Sequence, residues 1–223
     1  MRKRSHQVAL SHLPNEVDAL LQENLPQPLD FAILFGRQAP VELEIGSGRG
    51  LFITQTASSM PEHDFLGVEI SKKYAKLCAV LIAKKQLCNA QMVCGDAQAM
   101  LRDNVSDQSL AAVHIYFPDP WWKRKHRKRR IVSESIVKLV YQKLVPGGKL
   151  HFWTDVEEYF LAGLQSIANV PGFDGPLEVG EHTAEHDFDY RTHFERRTRL
   201  HGESVYRAMF VKREAFQGKA VTA

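Results

Sequence analysis

The sequence predicts an α/β domain built on a mainly parallel sheet and closed at its C-terminal end by an antiparallel hairpin. Three observations predict it. From residue 41 onward, short runs rich in β-formers alternate with longer segments of 3.6-residue periodicity. The strand-like runs are apolar enough to be covered on both faces, as parallel strands are. Near the C-terminus, Phe194 to Leu200 and Val205 to Val211 read as two strands joined at His201-Gly202.

In chain order, strands are expected at Val41 to Ile45, Phe65 to Ile70, Ala90 to Cys94, Ala111 to Phe117 and Lys149 to Thr154, with helices between them. Ser71 and Asp155 suit the N-cap positions of two of those helices, Asp155 with Glu158 in capping-box register. Pro146-Gly147-Gly148 ends the helix before the fifth strand. Residues 1–40, with prolines at 14, 26, 28 and 40 around one short helical pattern, read as an extension packed on a domain spanning 41–217. In such a sheet the loops leaving the carboxyl ends of the strands line one edge, and ligands bind there.

Composition narrows the class. With 223 residues, 44% hydrophobic and 25% charged, the chain can bury a core without disulfides. Cys78, Cys88 and Cys94 are odd in number and lack metal or redox spacing, so they read as reduced core thiols of a cytoplasmic protein. The basic N-terminus is not followed by a secretory apolar region, and the run Leu77 to Ala83 is too short to cross a bilayer, so no membrane role is expected. His182, His186 and Asp187 do not form a strong zinc pattern, and no metal is expected. A formal charge of only +3 means that attraction to a polyanion must come from clustering.

The segment VELEIGSGRG runs a strand into a glycine-rich turn, where Gly46 and Gly48 let backbone N–H groups approach a ligand. Its spacing is not that of a dinucleotide site: Leu51 stands where the third glycine would fall, and Glu44 would repel a pyrophosphate. A cationic ligand suits Glu44 better, and S-adenosylmethionine carries a sulfonium and an ammonium. Glu69, about twenty residues beyond the glycines, is placed to accept from both ribose hydroxyls. Asp96, after the third strand, is placed to accept from the exocyclic amine of adenine.

The fourth strand opens into Phe117-Pro118-Asp119-Pro120-Trp121-Trp122, two prolines fixing the backbone around a carboxylate followed by two large rings. Such a loop can stack an extruded base, and its carboxylate can accept from N1–H and N2–H of guanine while rejecting adenine. The competing reading of the tryptophans is a core aromatic pair. Lys123 to Arg130, KRKHRKRR, holds seven Lys or Arg in eight positions and reads as a phosphate-contacting patch, with a nuclear localisation signal as the alternative.

Through EIGSGRG, FPDPW with its basic run, TDVEEY and THFE, the chain resembles the bacterial tRNA (guanine-N7)-methyltransferase family over nearly all of Val41 to Lys212. The resemblance implies a Rossmann-like class I methyltransferase with a mostly parallel seven-stranded sheet and helices on both faces. It implies methyl transfer from S-adenosylmethionine to N7 of a guanine in tRNA, at position 46 of the variable loop. Glu44, Gly46, Gly48, Glu69, Asp96 and Asp119 would bind cofactor, Asp119 would also serve catalysis, and Lys123, Asp155, Thr192, His193, Phe194 and Glu195 would face tRNA. Trp122 and His193 depart from the family pattern, His193 standing for the usual Lys. Asp155 is left with two uses, helix cap or nucleotide contact. The assembly expected is a monomer or homodimer. The rivals are a small-molecule methyltransferase of the same fold and a non-catalytic tRNA-binding partner.

Overall fold

The computed structural model describes residues 17–180 and 190–214. His182, His186 and Asp187 lie outside the described residues. The chain enters the sheet earlier than the sequence suggests, with a short strand β1 (Leu20–Leu21), and helix α1 (Phe31–Phe35) follows. Then come β2 (Val41–Ile45), α2 (Leu51–Ser59), β3 (Asp64–Glu69), α3 (Lys72–Lys84), β4 (Ala90–Cys94), α4 (Ala97–Asp103) and β5 (Leu110–Tyr116). The remainder comprises α5 (Glu134–Lys143), β6 (Leu144–Thr154), α6 (Glu157–Ala168), β7 (Phe173–Leu177), α7 (His193–Leu200) and β8 (Tyr206–Lys212).

The eight strands lie in the order β1-β4-β3-β2-β5-β6-β8-β7. β8 is antiparallel to both its neighbours, and the other pairs are parallel. After the edge strand β1 the chain crosses to the middle at β2, builds outward through β3 and β4 until β4 lies beside β1, then returns to lay β5 on the other side of β2. The carboxyl ends of β2 and β5 therefore flank the topological switch, where loops diverge and leave a crevice.

The two faces of the sheet differ in chemistry. On one, Leu43, Ile45, Val113, Ile115, Leu150 and Phe152 join buried residues of α4, α5 and α6 in one apolar cluster. On the other, Phe65 and Met92 pack with α2 and α3, but Glu42, Glu44, His114, Tyr116 and Trp153 are buried as well. Period-2 alternation puts this second set on a common face.

Several expectations need correction. Phe194 to Leu200 is a helix, because Thr192 Oγ1 accepts from the Glu195 N–H at 3.0 Å and caps its first turn. β8 instead pairs antiparallel with β6 on one side and β7 on the other, and β7 is a strand hidden in the sequence by Gly175-Pro176; as the sheet edge, it tolerates a proline. Pro146-Gly147-Gly148 does not stop a helix. α5 ends at Lys143, and the Pro-Gly-Gly segment forms an irregularity in β6 with Gly147 at φ +76°. Asp155 does not cap α6: the cap is Val156, whose N–H goes to the Thr154 hydroxyl at 3.2 Å. Of the three free cysteines only Cys78 is buried, and Cys88 is exposed.

Candidate active site

Gly46, at the end of β2, donates its N–H to Val68 O at 2.8 Å, which ties the glycine turn to β3. The turn ends at Gly50 with φ +78°, and a Cβ there would collide with the Cys78 side chain, so this residue must be glycine for two reasons. Glu69 closes the loop from the side: its carboxylate accepts from Gly48 N–H at 3.0 Å and Ser71 N–H at 2.8 Å. Asp96 caps α4, accepting from Ala99 N–H at 2.9 Å, while its own N–H is held by the Gln22 side chain at 2.8 Å. The N-terminal segment thus helps fix the third acid.

Glu44 is only 5% exposed, and its Oε2 is buried with no hydrogen-bond partner. Burial pushes its carboxyl up to about 8; the Ser47 hydroxyl opposes that rise and the charge of Glu69 adds to it. A buried acceptor left unpaired is costly, and a cationic group beside it would relieve the cost. Next to Glu69, Ile70 is 74% exposed and presents an apolar lip that the sequence pattern did not reveal.

The loop after β5 is strained. Phe117 and Trp121 both adopt left-handed backbone angles, φ +49° and +46°, which cost non-glycine residues on the order of 1–3 kcal/mol each. Contacts with β6 and with the basic run that follows hold these angles. Phe117 N–H donates to Trp153 O at 2.8 Å, and Arg130 Nε donates to Pro120 O at 2.8 Å. Arg129 lies 5.0 Å over the Trp121 ring, and His126 meets that ring edge-on. An open cleft of about 450 Å³ results, lined by Asp119, Pro120, Trp121, Trp122, Lys123 and His126. Trp122 is 62% exposed, which removes it from any core pair.

The basic run forms a short 3-10 helix, Arg124–Arg129. It is not uniformly a solvent-facing patch: Arg130 is buried, 4.7 Å over the Tyr159 ring, and Arg127 pairs with Glu158 at 2.7 Å. Lys123, Arg124, Lys125 and Lys128 remain exposed.

α7 brings the THFE segment to the same edge. Phe194, 51% exposed, stacks on Phe117 with centroids 6.3 Å apart, and Arg197 covers its ring at 5.1 Å. Partial burial, with the charges of Arg49 and Arg196, holds the exposed His193 below the usual imidazole range. Asp155 sits partly exposed at the end of β6. Glu195 differs from its neighbours: it is 3% exposed, and its carboxylate accepts from Arg191 N–H at 2.7 Å and Arg207 at 3.1 Å. Arg191 and Arg207 carry no local signal in the sequence, because each meets its partner across the fold: both guanidiniums lie 5.1 Å from the Trp153 ring centre. Among the described residues no cluster could hold a metal ion, and no helix is long and apolar enough to cross a membrane.

A doubly wound sheet with a glycine turn, an unpaired buried carboxylate beside it and acids at the next two strand ends fits the class of S-adenosylmethionine-dependent methyltransferases. Solved structures share the fold: the aminoglycoside resistance methyltransferase NpmB1 (TM-score 0.57, 18% identity, 88% of this chain and 99% of that one) and an SAM-dependent O-methyltransferase from Thermotoga maritima (0.52, 13%, 83% and 64%). A family model described as "Putative methyltransferase" matches residues 38–208. A tRNA (guanine-N(7)-)-methyltransferase of Rhodopirellula baltica is 44% identical over 197 residues, 86% of this chain and 73% of the relative. Another from Yersinia enterocolitica is 38% identical over 192 residues, 86% and 80%. The chain belongs to the tRNA (guanine-N(7)-)-methyltransferase family.

Proposed function

We propose that the chain methylates N7 of a guanine in tRNA, the variable-loop guanine at position 46, within the cleft around Asp119. One observation carries this reading. β2 and β5 are paired in parallel register, Ile45 beside Ile115, so the glycine turn and the Phe117–Trp122 loop leave adjacent strands at the same edge.

Bound S-adenosylmethionine supplies an activated methyl group on a sulfonium. Glu44, with its unpaired Oε2, fits the cationic end of that molecule, and Gly46 and Gly48 offer backbone beside it. Glu69 retains acceptor capacity for ribose hydroxyls while holding Gly48, and Asp96 faces the base end, with Ile70 as an apolar surface there. On the RNA side, Lys123 and the exposed part of the basic run meet phosphates, and Asp155, Thr192, His193 and Phe194 line the approach of the nucleotide. Glu195 acts at one remove, by fixing the start of α7.

Guanine N7 offers an in-plane lone pair and carries no proton, so the residues must align the base and need not remove a proton. Asp119 is the catalytic residue in this reading: a carboxylate fixed between two prolines favours the positive charge that develops on guanine as N7 is alkylated. The test is direct. Purified protein, labelled cofactor and bulk tRNA should yield labelled N7-methylguanosine on nucleoside analysis; label in another nucleoside, or none in tRNA, overturns the proposal.

A further inference from the structure

Beneath the site, a buried hydrogen-bond chain runs along the polar face of the sheet. Glu42 lies between His63 Nδ1 at 2.7 Å and His114 Nε2 at 2.6 Å. His114 Nδ1 lies 2.9 Å from the Tyr116 hydroxyl. Burial pushes the Glu42 carboxyl up, but the two histidines outweigh it and hold the group below its ordinary range. Burial keeps His114 below the usual imidazole range, against the pull of Glu42. A neutral imidazole has one donor and one acceptor. With Nε2–H donating to Glu42, Nδ1 must accept, so the Tyr116 O–H donates to it. The lone pairs of Tyr116 are then left for Arg191, whose guanidinium lies 5.1 Å over the ring of Trp153, the same ring that packs against Tyr116 with centroids 4.9 Å apart.

This chain ends at the roots of the three loops assigned to substrate. Tyr116 directly precedes Phe117, Trp153 stands two residues before Asp155, and Arg191 directly precedes Thr192. Arg207 grips the same two groups, lying 5.1 Å over Trp153 and 3.1 Å from Glu195. Packing alone does not call for the Tyr116 hydroxyl: its ring is already held by Phe52 and Trp153, each with centroids 4.9 Å away, where a phenylalanine would serve. A buried hydroxyl is retained at a cost unless it is paired.

We propose that Tyr116 and Arg191 are positioning residues for methyl transfer: the ordered chain from Glu42 through His114 fixes the Tyr116 hydroxyl as an acceptor for Arg191, and Arg191 in turn sets Thr192, His193 and Phe194 level with the Asp119 cleft. The inference rests on the substrate-site reading given above. It predicts that the two residues act as one unit.

Tyr116→Phe and Arg191→Met, singly and together in the full chain, test it through single-turnover rates at saturating cofactor and tRNA, with cofactor affinity by calorimetry. Each single change should slow methyl transfer about tenfold, leave cofactor affinity within about twofold, and add almost nothing to the other, since both cut the same chain. Rates that multiply to about a hundredfold loss would show independent packing roles and overturn the proposal, as would parental turnover in Tyr116→Phe. If Arg191→Met does not fold, Arg191→Lys replaces it: the charge stays, the planar fork is lost, and the same non-additivity is expected. Asp119→Asn is measured in parallel. A parental rate in that variant refutes the substrate-site reading itself, so the two failures are distinguishable.

Discussion

The two halves of the active edge are built by different means. On the cofactor side, β2, β3 and β4 release loops whose geometry is set by backbone groups: glycines take the left-handed angles, and Glu69 and Asp96 are bound to N–H groups one to three residues from an element end or across one turn. On the substrate side, β5, β6 and α7 meet through side chains, and the left-handed angles fall on Phe117 and Trp121, residues that resist them. Arg130, Arg129 and the Trp153 carbonyl hold that strain in place. In the proposed reading, the cofactor half is a pre-shaped cradle for a ligand common to many enzymes. The substrate half spends stability on a single geometry, which is what alignment of one base requires.

If this division is right, changes on one side should leave the other ligand's affinity nearly untouched. The largest effect belongs to Asp119→Asn, which should fold and bind tRNA but lose at least ~10²-fold in methyl transfer, about 2.7 kcal/mol. Raising the pH should not rescue it, because N7 carries no proton. Single-turnover rates within about threefold of the parent would make Asp119 structural.

Glu69→Ala comes next, weakening cofactor binding by about 1.5–3 kcal/mol for each charged hydrogen bond lost. Because Glu69 also holds Gly48 and Ser71, the loop should loosen too, visible as faster amide exchange at Gly48. Unchanged cofactor affinity by calorimetry removes the ribose assignment, and a large loss of tRNA affinity breaks the division between the halves.

Replacing Lys125, Arg127 and Lys128 with Ala should flatten the log–log salt dependence of tRNA binding by roughly two units while cofactor affinity stays put. Arg127 is tied to Glu158, so it is the least available to phosphate of the three, and Glu158→Gln should free it and strengthen tRNA binding slightly. A salt slope that survives the triple change places the RNA path elsewhere.

The smallest effect concerns stability. Glu44 has a folded-state carboxyl pushed to about 8 from an ordinary 4.5. Between those values the unfolded chain ionises while the folded one stays protonated, so this group's contribution to stability is full at low pH and is lost as pH rises through the window. Glu44→Gln should therefore melt a few degrees higher than the parent at pH 8 but not at pH 4.5, while binding cofactor less well. Equal melting temperatures at both pH values would show that Glu44 is not the strained group described.

What the sequence determined by itself was local. The five core strands, the glycine turn, the acids at successive strand ends and the Pro-Asp-Pro loop are written in contiguous residues whose period, turn chemistry or spacing carries the information. The family resemblance drew on the same short motifs. THFE also held a local signal that the strand assignment passed over, since Thr192 and Glu195 stand in capping-box register. Tertiary structure decided the rest. β7 is a strand because β8 offers it a ladder, although Gly175-Pro176 argues against one; Arg130 turns inward because Tyr159 and Pro120 O are there to receive it, although seven of its eight-residue run are basic. Glu42, His114, Tyr116 and Arg191 become a connected unit only when strands 72 residues apart in sequence lie side by side. Pairing of buried polar groups depends on which chain segments the fold makes neighbours, and no short window of sequence contains both Glu42 and His114 or both Tyr116 and Arg191.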